Sequence, residues 1–240
     1  MGTSKLKPYK KDHDTSYVGS TYAVMELLLA KPEITETVYI HSAFIDNCGL
    51  VNLCKERDIL IVYSDKVFNL INQKENSYVA AVFRKYKSSL STIHPHVTLV
   101  NPADMGNLGT IIRTAIGFNI KNLAIITPAC DIYNLKTIRA SMGAFFRINH
   151  EFFDDFEKYR RKYPHHQLFP FMLDGKATPD EIPPCLFSLI FGNEATGLGE
   201  NFEKIGQPVK IPVSDEVDSY NLSIAAGIGM YAFAKTNQLI

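Results

Sequence analysis

Residues 104–115 read DMGNLGTIIRTA. Leu108, Ile111, Ile112, Ala115 and Ile116 recur at three- and four-residue spacing, the pattern of one apolar helical stripe facing a sheet. On this reading Asn107 opens the helix and Arg113 stands on the opposite side, with Gly109 four residues before it and Gly117 four after. Glycine inside a helix costs roughly 1 kcal/mol relative to alanine, and a solvated arginine needs no clearance. The pattern points to a surface kept bare so that a ligand or second chain can reach the guanidinium. The alternative is a plain surface arginine with Gly117 as a helix stop.

Working outward, a strand over 97–100 feeds the loop NPADMGN and this helix, and LAIIT (123–127) forms the next strand. Together they make one βαβ crossover, expected to be right-handed. Further on come a helix over 134–142, a short strand AFFRI, a charged helix DDFEKYRRKY, and the strands LFPFML and CLFSLIF. PVKIPV and the polar loop SDEVDS then lead into a last helix from Asn221 to about Lys235. Upstream, the opening dozen residues read as a flexible basic arm. A helix TYAVMELLLAKPE follows, stopped near Pro32, since the residue before proline leaves helical geometry. TVYI, DILIVY and SYVAAVFRKY alternate with two helices, the second capped by Ser64. The expected fold class is α/β in two domains, residues 1–92 and 93–240.

The chain has 240 residues, 46% hydrophobic and 21% charged, enough to bury a sizeable core. Formal net charge is zero, so any grip on nucleic acid has to come from local basic patches. The four cysteines are scattered without C-x-x-C or zinc spacing, as expected of reduced thiols. No apolar run approaches the 18 or so residues of a membrane span, and the amino terminus lacks the apolar stretch of a signal peptide. A cytoplasmic protein without a membrane partner is expected. His94, His96, His165 and His166 have no cysteine or acidic partner at ligand spacing, so no metal is expected.

In open α/β sheets ligands gather at the carboxyl ends of strands. Three loops there carry more polar and glycine residues than turning the chain requires: 101–109, 192–199 and 213–221. In the second, FGNEATGLGE, Gly192 permits close backbone approach and Gly197 and Gly199 permit left-handed turns. The spacing matches neither a P-loop nor a dinucleotide fingerprint. After the third, Ser219 or Asn221 caps a helix rich in alanine and glycine, thin enough for close packing.

Taken together, NLGTIIRTA, LIFGNEATGL and IPV-(x6)-SYNLSIAA resemble the three ordered motifs of the SpoU (TrmH-type) RNA ribose 2′-O-methyltransferases. IRASMGAFFRI (138–148) resembles the segment between the first two. The first ninety residues resemble, more weakly, the L30e-like RNA-binding domain that often precedes them. The resemblance implies a carboxyl-terminal domain with a trefoil knot, a homodimer, and S-adenosylmethionine as cofactor. Carried over by motif, Gly192, Ile211 and Tyr220 contact the cofactor, and Asn107, Arg113, Glu194, Ser219 and Asn221 form the catalytic set. Arginine keeps its proton at neutral pH, which favours Arg113 as a phosphate anchor over a base. Tyr220 stands where the family usually has leucine, and Ala195 where many members have glycine, which matters if that position is left-handed.

The implied substrate is structured RNA, ribosomal RNA in preference to transfer RNA. KLKPYKK (5–11), RKYK (84–87) and YRRKYPHH (159–166) interleave basic residues with tyrosines, which suits phosphate contact with base stacking. Solvated charge is the plainer reading of each. The competing functions are a non-catalytic RNA-binding protein on the same fold and a nucleotide-binding enzyme of another kind.

Overall fold

The structure, a computed structural model, describes residues 8–70 and 77–240. Residues 1–7 of the expected arm and 71–72 of the helix read over 64–72 lie outside the described residues. Two compact units form, one from the chain up to residue 86 with residues 131–146, the other from residues 87–130 and 147–240. Residues 131–146, read from sequence as part of the second domain, thus pack with the first unit.

In the first unit β1 (Thr15–Gly19), β2 (Thr35–Ile40), β3 (Ile61–Tyr63) and β4 (Val79–Arg84) form a sheet of order β1-β4-β2-β3. β2 and β3 are parallel, and β4 runs antiparallel to both its neighbours. The helices are α1 (Thr21–Ala30), α2 (Leu50–Glu56) and α3 (Lys66–Leu70). The sequence reading missed β1, whose polar Ser16 is buried and satisfied by donating to the Tyr133 carbonyl at 2.7 Å. The arm reading ends at Tyr9, which packs against the core of this unit and hydrogen-bonds through its hydroxyl to Asp131.

AFFRI is not a strand. Residues Ala144–Arg147 form a 3₁₀ turn, and the strand begins at Asn149. A strand would send Phe145 and Phe146 to opposite faces. The tight turn buries both against Phe83, at ring separations of 6.1 and 5.1 Å.

The second unit is built on five parallel strands: β5 (His96–Val100), β6 (Asn122–Ile126), β7 (Asn149–Phe153), β8 (Gln167–Pro170) and β9 (Phe187–Phe191). Their order is β7-β6-β5-β9-β8. The chain therefore winds outward from β5 to one edge, then crosses to the other side of β5. That reversal leaves a crevice between the carboxyl ends of β5 and β9, where ligands of such sheets bind. α4 (Met105–Gly117) and α7 (Leu222–Thr236) pack together, and Phe233 of α7 meets Phe169 and Phe187 at 4.9 and 5.0 Å. α6 (Phe156–Lys162) contributes to a core of Ile126, Phe153 and Ile190, while α5 (Leu135–Ala140) belongs to the first unit.

Beside α6 lies a buried polar chain. His96 donates from Nε2 to the Ser91 carbonyl at 2.7 Å, which leaves Nδ1 to accept from the Tyr159 hydroxyl at 2.9 Å. Ser188 joins Tyr159 to His166 Nδ1. Burial, aided by the neighbouring His166, pushes the His96 imidazole down to about 3. The unfolded chain takes up this proton near pH 6.5 and the folded chain does not. The stabilisation is therefore complete above about pH 6.5 and is lost as pH falls towards 3. Urea titrations at pH 7.5 and pH 5 should differ by about 2 kcal/mol from this group. His96→Asn should be less stable at both pH values and show a smaller difference between them. An equal difference in the variant would assign the acid sensitivity elsewhere.

Candidate functional site

α4 starts earlier than its apolar stripe suggests. Asp104, not Asn107, is the cap, accepting from the backbone N–H of Gly106 and Asn107 at 2.7 and 2.8 Å. Asn107 is thereby released from capping and its amide points along the helix start. Gly109 is buried with the apolar stripe rather than clearing the surface beside Arg113. Gly117 does border open space. Arg113 itself is exposed and, among the described residues, makes no hydrogen bond or ion pair.

The loop after β9 is a tight hairpin. Asn193 and Gly197 bridge through backbone bonds of 2.9 and 3.2 Å, and Asn193 Oδ1 accepts from the N–H of Ala195 and Thr196. Gly197 has φ +65°, a left-handed conformation, whereas Gly199 is extended at φ −69°. Ala195 is not among the positive-φ residues, so alanine there carries no strain. A Cβ on Gly192 would lie 2.2 Å from the Gly197 carbonyl carbon, so only glycine lets the two backbones pass.

This hairpin delivers Glu194 to the start of α4. Its Oε2 accepts from Ala103 N–H at 2.9 Å, and its Oε1 from Asp104 N–H at 2.9 Å and from Asn107 Nδ2 at 3.2 Å. Partial burial alone would raise this carboxyl. The N–H donors of Ala103 and Asp104, with the Asn107 amide, outweigh it and hold it below the usual carboxylate range. Asn107 Oδ1 in turn accepts from Asn221 Nδ2 at 3.2 Å, and Asn221 Oδ1 caps α7 by accepting from Ser223 N–H. Three loops distant in sequence are tied through Glu194, Asn107 and Asn221.

The third loop arrives by an unusual path. Val209 N–H donates to Pro170 and Met172 N–H to Val209, while Lys210 N–H donates to Ala177. Val209 is thus bridged on two sides, to Phe171 and to Ala177. α7 closes over this passage because Gly229 lets the Phe171 ring come within 2.6 Å of where a Cβ would stand. Tyr220 then donates its hydroxyl to the Pro212 carbonyl at 3.3 Å, drawing the intervening loop together.

Around these elements lies a cavity of about 440 Å³, lined in part by Gly192, Glu194, Ile211, Ser219 and Tyr220. Five of the eight residues singled out from sequence therefore meet at one site. Asn107 and Asn221 reach it through Glu194, and Arg113 does not line it. Sequence reasoning missed Phe171, Met172 and Val209, which also line it and lie outside the three polar loops. The volume suits a ligand of 300–1,000 Å³ sites. Apolar Phe191, Ile211 and Leu222 offer a surface for a flat heterocycle, and the polar loops offer partners for a charged tail.

The basic clusters are largely committed to structure. Tyr159 and Tyr163 are buried in the core, so the stacking role read for 159–166 is not available to them. On the same helix Lys158, Arg160 and Lys162 pair with Asp154, Glu157 and Glu151. In the 84–87 cluster Arg84 donates to the Glu33 carbonyl, and Lys85 to the Lys11 carbonyl while lying over the Tyr9 ring. Amphipathic side chains were read as exposed because their charge was visible and their packing was not. Among the described residues no group of three potential ligands could hold a metal ion, and no helix is long and apolar enough to cross a membrane.

Residues 94–231 match the SpoU rRNA Methylase family. The 23S rRNA (guanosine(2553)-2′-O)-methyltransferase RlmP of Bacillus subtilis is 28% identical over 180 residues, covering 70% of this chain and 69% of its own. The 23S rRNA (adenosine(1067)-2′-O)-methyltransferase of Streptomyces azureus is 24% identical over 239 residues, 94% of this chain and 88% of its own. The AdoMet-bound rRNA methyltransferase of Sinorhizobium meliloti shares the fold with a TM-score of 0.78 at 25% identity, over 92% of this chain and 87% of that one. With the family matched across more than half of the chain, two motif loops lining one cavity and the third tied to it through Glu194, the chain belongs to the SpoU rRNA methylase family, whose methyl donor is S-adenosylmethionine.

Proposed function

We propose that this protein transfers a methyl group from S-adenosylmethionine to a ribose 2′-hydroxyl of ribosomal RNA. The observation that carries this reading is the single cavity that gathers Gly192, Ile211 and Tyr220 for the cofactor beside Glu194 and Ser219. The bound cofactor supplies an electrophilic methyl on a sulfonium: as the ribose oxygen bonds to the methyl carbon, the carbon–sulfur bond breaks, sulfur keeps the pair, and the hydroxyl proton is released. The protein's part is to align oxygen, carbon and sulfur and to hold the flanking RNA.

The hydrogen bonds divide the proposed catalytic set. Both oxygens of Glu194 are occupied by N–H donors, so it acts as a positioning residue rather than as a base. Asn107 and Asn221 extend the same brace to the helix starts of α4 and α7. Ser219 faces the cavity, and Arg113 is left free to hold an RNA phosphate through its planar donors.

The finer architecture follows the same reading. The passage of Val209 between Phe171 and Ala177 supports a trefoil knot in a methyltransferase domain over residues 93–240, less residues 131–146, which pack with the first unit. Ile224, Ile228 and Tyr231 are exposed on one stripe of α7, which supports a homodimer that covers them. Residues 1–92 serve as an L30e-like RNA-binding domain, and the site of action is the cytoplasm. Ribosomal RNA is favoured because the relatives matched over 180 and 239 residues are named for 23S rRNA.

The test is incubation with methyl-labelled S-adenosylmethionine and total RNA from cells lacking the enzyme, followed by digestion to nucleosides. Label in a 2′-O-methylnucleoside of the ribosomal fraction is the expected result. Label in transfer RNA would move the substrate, and label on a base would overturn the ribose chemistry.

A further inference from the structure

The cavity has a one-sided electrostatic lining. Asp174, Glu194, Glu200 and Glu203 all line it, and no lysine, arginine or histidine does. Glu194 is engaged by the N–H groups of the neighbouring loop. Asp174, Glu200 and Glu203 form no ion pair among the described residues and are exposed to the cavity mouth. Between the lining residues Val213 and Ser219 the loop adds Asp215, Glu216 and Asp218, all exposed. The same segments carry Lys176, Lys204 and Lys210, exposed but not among the lining residues, so the surplus of negative charge belongs to the cavity lining and its loop.

Methyl transfer changes the charge of the occupant. S-adenosylmethionine carries a sulfonium, an ammonium and a carboxylate, a net charge of +1, whereas S-adenosylhomocysteine is neutral overall. Shape barely separates them, since they differ by one methyl group. We infer that the acidic lining of this cavity sorts fresh from spent cofactor by charge, holding the cation more tightly and releasing the neutral product. The inference rests on the reading of the cavity as the cofactor site. The same field disfavours phosphate at the mouth, so a polyanionic substrate would find the cavity unattractive except where a cation such as Arg113 holds it. An unpaired surface carboxylate acts through water, so each contributes a few-fold and the group acts by summation.

Calorimetric titration of the whole chain tests this with three ligands: S-adenosylmethionine, S-adenosylhomocysteine and sinefungin, whose amine replaces the sulfonium and keeps the positive charge. In Glu200→Gln/Glu203→Gln, affinity for both cationic ligands should fall about five- to tenfold while that for S-adenosylhomocysteine changes less than twofold. Asp215→Asn/Asp218→Asn, confined to an exposed loop, should shift the same ratio in the same direction by a smaller factor. Raising salt from about 0.05 to 0.5 M should weaken only the cationic ligands in the native chain. Equal losses for all three ligands, or none, would overturn charge sorting and leave the cofactor site standing. Failure of the native chain to bind any of them would overturn the site itself, and charge sorting with it. Melting temperatures within about 2 °C of the native chain establish that both variants are folded.

Discussion

Gly192→Ala is expected to weaken S-adenosylmethionine binding by at least about 100-fold and to lower stability by about 2–3 kcal/mol. The added Cβ would stand 2.2 Å from the Gly197 carbonyl carbon, 2.3 Å from its oxygen and 2.4 Å from Leu198 N. All three are backbone atoms, so no side-chain rotation relieves the overlap. The hairpin has to open, and with it Glu194 is drawn away from Ala103 and Asp104, whose N–H groups lose their acceptor. Both N–H groups are exposed and can turn to water, so the backbone overlap itself carries most of the cost. Thermal melts should show a midpoint lower by about 5–10 °C, and calorimetry the loss of binding. Gly197→Ala separates strain from overlap, since nothing lies within 4 Å of its Cβ position and only the left-handed φ of +65° is penalised. It should cost about 1 kcal/mol. Native affinity in Gly192→Ala would mean that the cavity is not the cofactor site.

Arg113→Ala is expected to reduce methyl transfer by about 10²–10³-fold while leaving S-adenosylmethionine affinity within about twofold. The split follows from position: Arg113 is exposed on α4, does not line the cavity and braces no loop. Its removal cannot disturb the cofactor through any hydrogen bond of the described residues. Single-turnover rates with saturating RNA, set against calorimetry, measure the two effects separately. Arg113→Lys distinguishes how the cation works. A planar fork that grips phosphate at two oxygens is not replaced by an ammonium, so lysine should recover less than about one-tenth of the native rate. Substantial recovery would mean that a point charge suffices. Full activity of the alanine variant would remove Arg113 from the site.

Helix and strand periodicity located most of the second unit, because a long apolar run such as CLFSLIF is stable inside a parallel sheet and the α4 stripe is stable only as the buried face of a helix. Short elements were less legible. β1 spans five residues and includes Ser16, whose burial depends on the Tyr133 carbonyl more than a hundred positions away. AFFRI carried a strand-like composition, yet two adjacent phenylalanines needed one aromatic cluster and took a 3₁₀ turn. The helix start at Asp104 was written in the sequence as an acceptor two residues before Gly106, but Asn107 offered the same chemistry three residues later. Only the competing partner, Glu194, decides which residue caps and which one braces.

The sequence by itself determined the α/β class, the three polar strand-end loops and the family to which their motifs belong, because these depend on local spacing and side-chain type. It also set the need for glycine at position 192, although not the atom that imposes it. Tertiary structure alone decided the rest. The order β7-β6-β5-β9-β8 places the ends of β5 and β9 side by side, which turns Glu194 into a brace for a loop ninety residues earlier. Likewise the tyrosines of 159–166, which looked suited to stacking on RNA, are consumed by the core. Hydrogen bonding and burial depend on which groups meet in space, and that information is spread over the whole chain rather than held in any window of it.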